Sequence, residues 1–331
     1  MSRLRALLAT LRIANAPSVV SNVWLGYMVG WMVWSYPFWH RFDSSGWQSL
    51  GILSTAGLCL YFAGNLANDW FDRNWDSLRR PERALPSGLF PPTTYLTGAV
   101  VLSLAGVGIA ATESLASAIC AIVILALIGV YTCFHKKAIW AVVPMGLCRA
   151  CLYAMGFFAS WQIWDPQDHP YVGLDVTEMI VTKLMIITTL MTGLFCYIVG
   201  LSLSARYEGM EHPPLGPLVV SKALLILPLL AMSCWFMPQS PLFGIMGMIP
   251  FLIWLILCLT RFRAPIPRYV SALLAGIPLV DFIAAAPIAL YADSDLIEQS
   301  LWDLPHLLAL FLIPLAAFVL GRLLQKVAPA T

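Results

Sequence analysis

The chain has 331 residues, of which 60% are hydrophobic and 11% charged, with a formal net charge of +2. An ordinary soluble domain is roughly a quarter charged, so this composition excludes a water-soluble globule, and the near-neutral balance shows no basic footprint for a nucleic acid. Apolar residues run on for whole helices where a soluble protein would interrupt them with polar ones, which predicts an all-α polytopic bundle spanning residues 1–331 as one membrane domain.

Ten stretches approach the roughly 20 apolar residues that carry a helix across a bilayer. In chain order they are Ala14 to Trp34, Trp47 to Leu66, Thr94 to Ala111, Leu115 to Phe134, Ile139 to Ser160, Leu184 to Ser204, Leu218 to Phe236, Leu242 to Leu259, Tyr269 to Tyr291 and Leu304 to Leu320. The first is too long for a signal-peptide core and lacks a small-residue cleavage site followed by a soluble domain, so it is expected to be retained. Cytoplasmic loops are rich in Lys and Arg, and ten crossings with the N-terminus inside satisfy this rule. Arg3, Arg5, Arg12, Arg73, Arg79, Arg80, Arg83, Lys136, Lys137 and Arg206 then face the cytoplasm, and Arg41 and Lys183 fall outside. The expected location is an integral, multi-pass membrane protein, in the inner cell membrane if bacterial, with its active face cytoplasmic.

The eight cysteines lie in or beside apolar stretches, where they act as small hydrophobes. Cys148 and Cys151 form a C-x-x-C beside Arg149, with no second pair to complete a zinc site. Gly26-x-x-x-Gly30 is the small-residue spacing of close helix packing.

Two cytoplasmic loops stand out, 68–92 after the second stretch and 206–217 after the sixth, and their placement hints at two related halves with a polar patch between them. The first opens with Asn68-Asp69-Trp70-Phe71-Asp72-Arg73-Asn74-Trp75-Asp76. At about 100° per residue, Asn68, Asp69, Asp72 and Asp76 share one helix face within about 100°. Crowded carboxylates repel unless a cation sits among them, and Mg²⁺ suits such a face because it takes one or two carboxylates and completes its shell with water and phosphate oxygens. A solvated acidic helix end neutralised by the arginines that follow would show the same spacing. Arg79, Arg80 and Arg83 beside the carboxylates favour a metal-bound diphosphate.

Asn68 to Asp76, followed by Arg80-Pro81-Glu82-Arg83-Ala84-Leu85-Pro86-Ser87-Gly88, resembles the first aspartate-rich motif and downstream loop of the UbiA superfamily of intramembrane prenyltransferases. The resemblance implies a nine-helix core, to which Leu304 to Leu320 would add a tenth helix. It also implies an isoprenyl diphosphate held by Mg²⁺ on Asn68, Asp69, Asp72 and Asp76, with Arg80, Arg83 and, from a basic turn after the fourth helix, Lys136 and Lys137 on the phosphates. A small-molecule acceptor, aromatic or other, would capture the isoprenyl group.

The family's second aspartate-rich motif is replaced here by the segment from Tyr197 to Glu211, which contains no aspartate. With Asn15 to Val23 and Met145 to Arg149, this segment is similar to the EboC-like branch of the superfamily. Arg206 and Glu208 are the residues expected to take over the missing catalytic charge. Two charges lie deep in apolar stretches, Arg149 and Asp281, and such residues face a cavity or each other. One reading puts Arg149 near the diphosphate and Asp281 near an acceptor, with Asn22, Tyr197 and Asp281 on the cavity wall; the other makes Arg149 and Asp281 a structural ion pair. The rival functional reading is a non-catalytic lipid-diphosphate-binding or export-associated protein that has lost turnover.

Overall fold

The computed structural model describes residues 3–32, 44–161, 176–207, 210, 212, 214–236, 241–296 and 304–328. Among them the chain is helical, with no strand. The helices are α1 (Arg3–Thr10), α2 (Ala16–Met32), α3 (Ser44–Arg79), α4 (Pro92–Glu113), α5 (Leu115–Phe134), α6 (Val142–Trp161) and α7 (Val176–Tyr207). They continue as α8 (Leu215–Phe236), α9 (Pro241–Thr260), α10 (Ile266–Ala275), α11 (Ile277–Leu296) and α12 (Leu304–Val327). Within the described residues seven helices are long and apolar enough to cross a membrane. The predicted crossings Ala14 to Trp34, Leu218 to Phe236 and Leu304 to Leu320 correspond to α2, α8 and α12, which are not among those seven. The helices make an integral, multi-pass membrane protein.

α2 lies at the centre, between two apolar clusters. One joins it to α3, α5 and α6 through residues such as Val23, Tyr27, Leu53, Leu60 and Met155. The other joins it to α6, α7 and the later helices through Leu25, Tyr153, Leu194, Leu225 and Ile283. Glycines let α2 and α6 touch backbone to backbone. A Cβ on Gly26 would sit 2.1 Å from the Tyr153 carbonyl oxygen, and one on Gly156 would sit 2.3 Å from that of Val23. This is the close packing expected of the small-residue spacing.

Two departures from the expected spans have local causes. The ninth stretch is two helices, α10 and α11, parted at Gly276. Pro278 has no N–H to carry the ladder on, and side chains reach carbonyls in the last turn of α10: Tyr197 Oη donates to Leu273 at 2.7 Å and Trp254 Nε1 to Ala272 at 2.9 Å. Lys183, expected in an external loop, is buried in α7 with its Nζ donating to the Gly30 carbonyl at 2.8 Å.

α3 has 36 residues and so a length of about 54 Å, well beyond the roughly 30 Å of a bilayer core. Its last turns, from Asn68 onward, therefore stand outside the membrane-spanning part. α1 and α12 meet where Arg5 Nε donates to the Val327 carbonyl at 3.1 Å.

Candidate active site

The outer end of α3 presents Asn68, Asp72 and Asp76 along one side, all buried, with Asp69 next to them. Each carboxylate meets cations brought by other elements. Asp72 pairs with Lys136 Nζ at 2.6 Å and His135 Nε2 at 3.2 Å, both just past α5. Asp76 pairs with Arg83 at 2.8 Å, and Asp69 with Arg12 at 3.3 Å and Arg83 at 3.8 Å. Burial pushes the Asp72 carboxyl up, but hydrogen bonds from His135 and Lys136 outweigh it and hold the group below its ordinary range. At Asp69 burial wins over attraction to Arg12 and Arg83, and the carboxyl is raised.

Behind this face a cavity of about 580 Å³ opens between the two apolar clusters. Its depth is aliphatic, with Leu60, Ile124, Leu152, Ile198 and Ile277 on the wall. Its mouth is polar: Asn68, Arg12, Arg80, Arg83, His135 and Arg206 all line it. Arg12 reaches the mouth from a corner between α1 and α2, where its backbone takes the left-handed conformation at φ 49°. That corner is pinned by Asn65 and Tyr61. Arg12 Nη1 donates to Asn65 Oδ1 at 2.7 Å, Asn65 Nδ2 to the Leu11 carbonyl at 2.9 Å, and Tyr61 Oη to the Arg12 carbonyl at 3.0 Å. A non-glycine residue held at positive φ is strained and persists only where its surroundings fix it.

The residues expected from sequence divide by place. Asn68, Asp69, Asp72, Asp76, Arg80, Arg83 and Lys136 converge on the mouth. Lys137 is exposed and off the cavity wall. Arg206 faces the cavity and its Nη1 donates to the carbonyls of His135 and Ala138 at 3.2 and 3.3 Å, capping the end of α5. Glu208 and Glu211 lie outside the described residues. Arg149 lines the cavity, well inside it. Asn22, Tyr197 and Asp281, expected on the wall, lie behind it: Tyr197 caps α10, and Asn22 and Asp281 bond each other. Nor do Arg149 and Asp281 form a direct ion pair, because Asn22 stands between them.

Sequence reading passed over Arg12, Asn65 and His135. Asn65 is one turn before Asn68 on the same helix, so its spacing was a signal. His135 sits next to Lys136 in the basic turn, and Arg12 counted there only toward the positive-inside pattern.

Among the described residues no three His, Cys, Asp or Glu side chains converge to hold a metal by themselves. Mg²⁺ does not need three, since phosphate oxygens and water complete its shell. Asn68 Oδ1 is buried without a hydrogen-bond partner, while Asn68 Nδ2 lies 3.4 Å from Asp72 Oδ2. A free amide oxygen beside a buried carboxylate is a donor set that fits this ion.

The chain is 40% identical over 55 residues to digeranylgeranylglyceryl phosphate synthase of Methanothrix thermoacetophila, covering 17% of this chain and 21% of that protein. It is 36% identical over 63 residues to the chloroplastic chlorophyll synthase of Arabidopsis thaliana, covering 19% of this chain and 16% of that one. The chain thus matches about a fifth of these relatives' length. Its fold is shared with the apo structure of a UbiA homologue from Aeropyrum pernix K1, at a TM-score of 0.59 and 15% identity over 84% of this chain and 98% of the other. The UbiA prenyltransferase family matches residues 23–265, most of the chain, and the protein belongs to that family.

Proposed function

We propose that this protein transfers an isoprenyl group from an isoprenyl diphosphate to a small-molecule acceptor, with its mouth on the cytoplasmic face of the membrane. The observation that supports this best is the joining of an aliphatic cavity of about 580 Å³ to a mouth that carries both oxygen ligands and arginines. That volume is within the usual range of about 300–1,000 Å³ for small-molecule sites. The prenyl chain lies in the aliphatic depth and the diphosphate at the mouth.

Asn68, Asp72 and Asp76 would hold Mg²⁺, which when bound would neutralise phosphate charge as a Lewis acid. Arg80, Arg83 and Lys136 receive phosphate oxygens, with Lys136 and Arg83 exchanging their carboxylate partners for phosphate. The C–O bond to the diphosphate breaks with both electrons leaving on the diphosphate, and a nucleophilic atom of the acceptor bonds to the freed carbon and gives up its proton. Arg206 stabilises charge growing on the leaving group. The aliphatic wall keeps water from the carbocation, and the rings of Tyr61 and Tyr131, both on the cavity, shield it.

Protein in lipid nanodiscs titrated with geranyl diphosphate tests the site. Binding is expected to require magnesium, and Asp72→Asn to weaken the magnesium-dependent part by about tenfold to a hundredfold, about 1.4–2.8 kcal/mol. Equal affinity with magnesium and with chelator, unmoved by Asp72→Asn, discards the metal-diphosphate site. Binding without turnover on any acceptor favours the reading as a lipid-diphosphate-binding protein.

A further inference from the structure

Deep in the cavity stands a second polar group, remote from the mouth. Arg149 is on α6, and its guanidinium carbon lies 5.3 Å from the ring centroid of Tyr61. Arg149 lies seven residues after Val142, where α6 begins just past the basic turn, about 10 Å along the helix. Arg149 therefore belongs to the level of the prenyl carbons and the acceptor, below the diphosphate.

The way Arg149 is held fixes the charge of this inner region. Its Nη1 donates to Ser18 Oγ at 3.0 Å and to Asn22 Oδ1 at 3.3 Å. A guanidinium only donates, so the Asn22 oxygen must face it and the Asn22 amide nitrogen must point the other way. There Nδ2 donates to both oxygens of Asp281, at 2.9 and 3.0 Å. Ser21 Oγ and Tyr153 Oη bond the same carboxylate. Asp281 is fully buried among groups that can donate to it, an arrangement suited to the ionised carboxylate. An arginine in a bilayer needs its charge balanced, and Asp281 balances it through Asn22. Both hydrogen bonds of Arg149 come from Nη1, which leaves Nε and Nη2 to meet a ligand. The other cations of the cavity, Arg12, Arg80, Arg83 and Arg206, lie at the mouth, where Asp69 and Asp76 pair with Arg12 and Arg83.

We infer that Arg149 is a charge-compensated binding group that receives an uncharged carbonyl-type oxygen of the acceptor and disfavours a carboxylate at the same position. This rests on the prenyl-transfer reading for the identity of the ligand as acceptor. An anionic ligand would leave the buried set of Arg149, Asp281 and ligand with a net negative charge and lose its hydration in return for a cation already matched. A neutral carbonyl takes the free N–H groups without that cost. Asp281 and Asn22 are the positioning residues, and Asp281 sets the charge preference without touching ligand.

Benzamide and benzoate, equal in shape and different in charge, are the probes. Their affinities are measured by calorimetry on the full chain in neutral phosphatidylcholine nanodiscs, corrected for empty discs. Wild type is expected to bind benzamide about tenfold more tightly than benzoate, about 1.4 kcal/mol. Asp281→Asn, which leaves Arg149 unbalanced, should reverse that order, and Arg149→Met, which removes the donor, should weaken benzamide binding by about tenfold. Wild type that prefers benzoate, or binds neither probe, overturns the proposal, as does an Asp281→Asn protein with native helix content and the wild-type ratio. If Asp281→Asn does not fold, the wild-type ratio and the loss of benzamide affinity in Arg149→Met decide. Geranyl diphosphate binding to the same wild-type preparation keeps the two readings apart: discrimination between the probes without diphosphate binding retains the inner site and discards prenyl transfer.

Discussion

Arg206 has two tasks at once, facing the cavity and holding the end of α5 through the His135 and Ala138 carbonyls. A charge that meets the leaving group as it forms matters more to the rate than to binding. Arg206→Ala is therefore expected to slow pyrophosphate release by about a hundredfold, while geranyl diphosphate affinity changes by less than about threefold. Steady-state rates and equilibrium binding on the same preparations check it; an affinity loss as large as the rate loss would mean that Arg206 only anchors the basic turn. The sequence spacing was enough to group Asn68, Asp72 and Asp76, because residues four apart on a helix must share a side. It was not enough for Arg12 or His135, which reach the carboxylates from other helices, or for Asp281, whose partners Ser21 and Asn22 are about 260 residues away. Such pairings are products of tertiary packing and leave no trace in local spacing.

Among the elements, the contact of α2 with α6 carries the cavity wall, since Arg149 and its partners Ser18 and Asn22 sit on these two helices. Gly26→Ala forces a methyl to within 2.1 Å of a carbonyl oxygen, and overpacking of this kind costs about 1–3 kcal/mol. Gly108, on α4, has nothing within 4 Å of the position a Cβ would take. Gly108→Ala should be neutral or stabilising by up to about 1 kcal/mol, because alanine is the better helix former. Thermal inactivation in detergent should separate the two variants in opposite directions, and equal losses would refute the tight α2–α6 contact. Helix existence and type were legible from apolar run length alone. The parting of α10 from α11 was not, although Gly276 and Pro278 stood in the sequence, because proline inside membrane helices is often tolerated when neighbours satisfy the freed groups. Here Tyr197 and Trp254 bond carbonyls in the last turn of α10.

At the scale of the whole molecule, α1 and α12 meet through the Arg5–Val327 hydrogen bond, and we propose that an even number of crossings separates them. The positive-inside pattern predicts that both lie on the cytoplasmic side. A cysteine placed at the exposed Lys326, with the exposed native Cys133 replaced by serine, should react in intact cells with membrane-permeant maleimide and not with an impermeant one. Labelling by the impermeant reagent would put the mouth on the outer face. The central claim is turnover, and pyrophosphate release tests it most directly. Purified protein in lipid, given magnesium, a panel of isoprenyl diphosphates and candidate acceptors, is expected to release pyrophosphate in step with a prenylated product for at least one pair, and to stop when magnesium is chelated. Release of neither from any pair, by protein that still binds a lipid diphosphate, would contradict it.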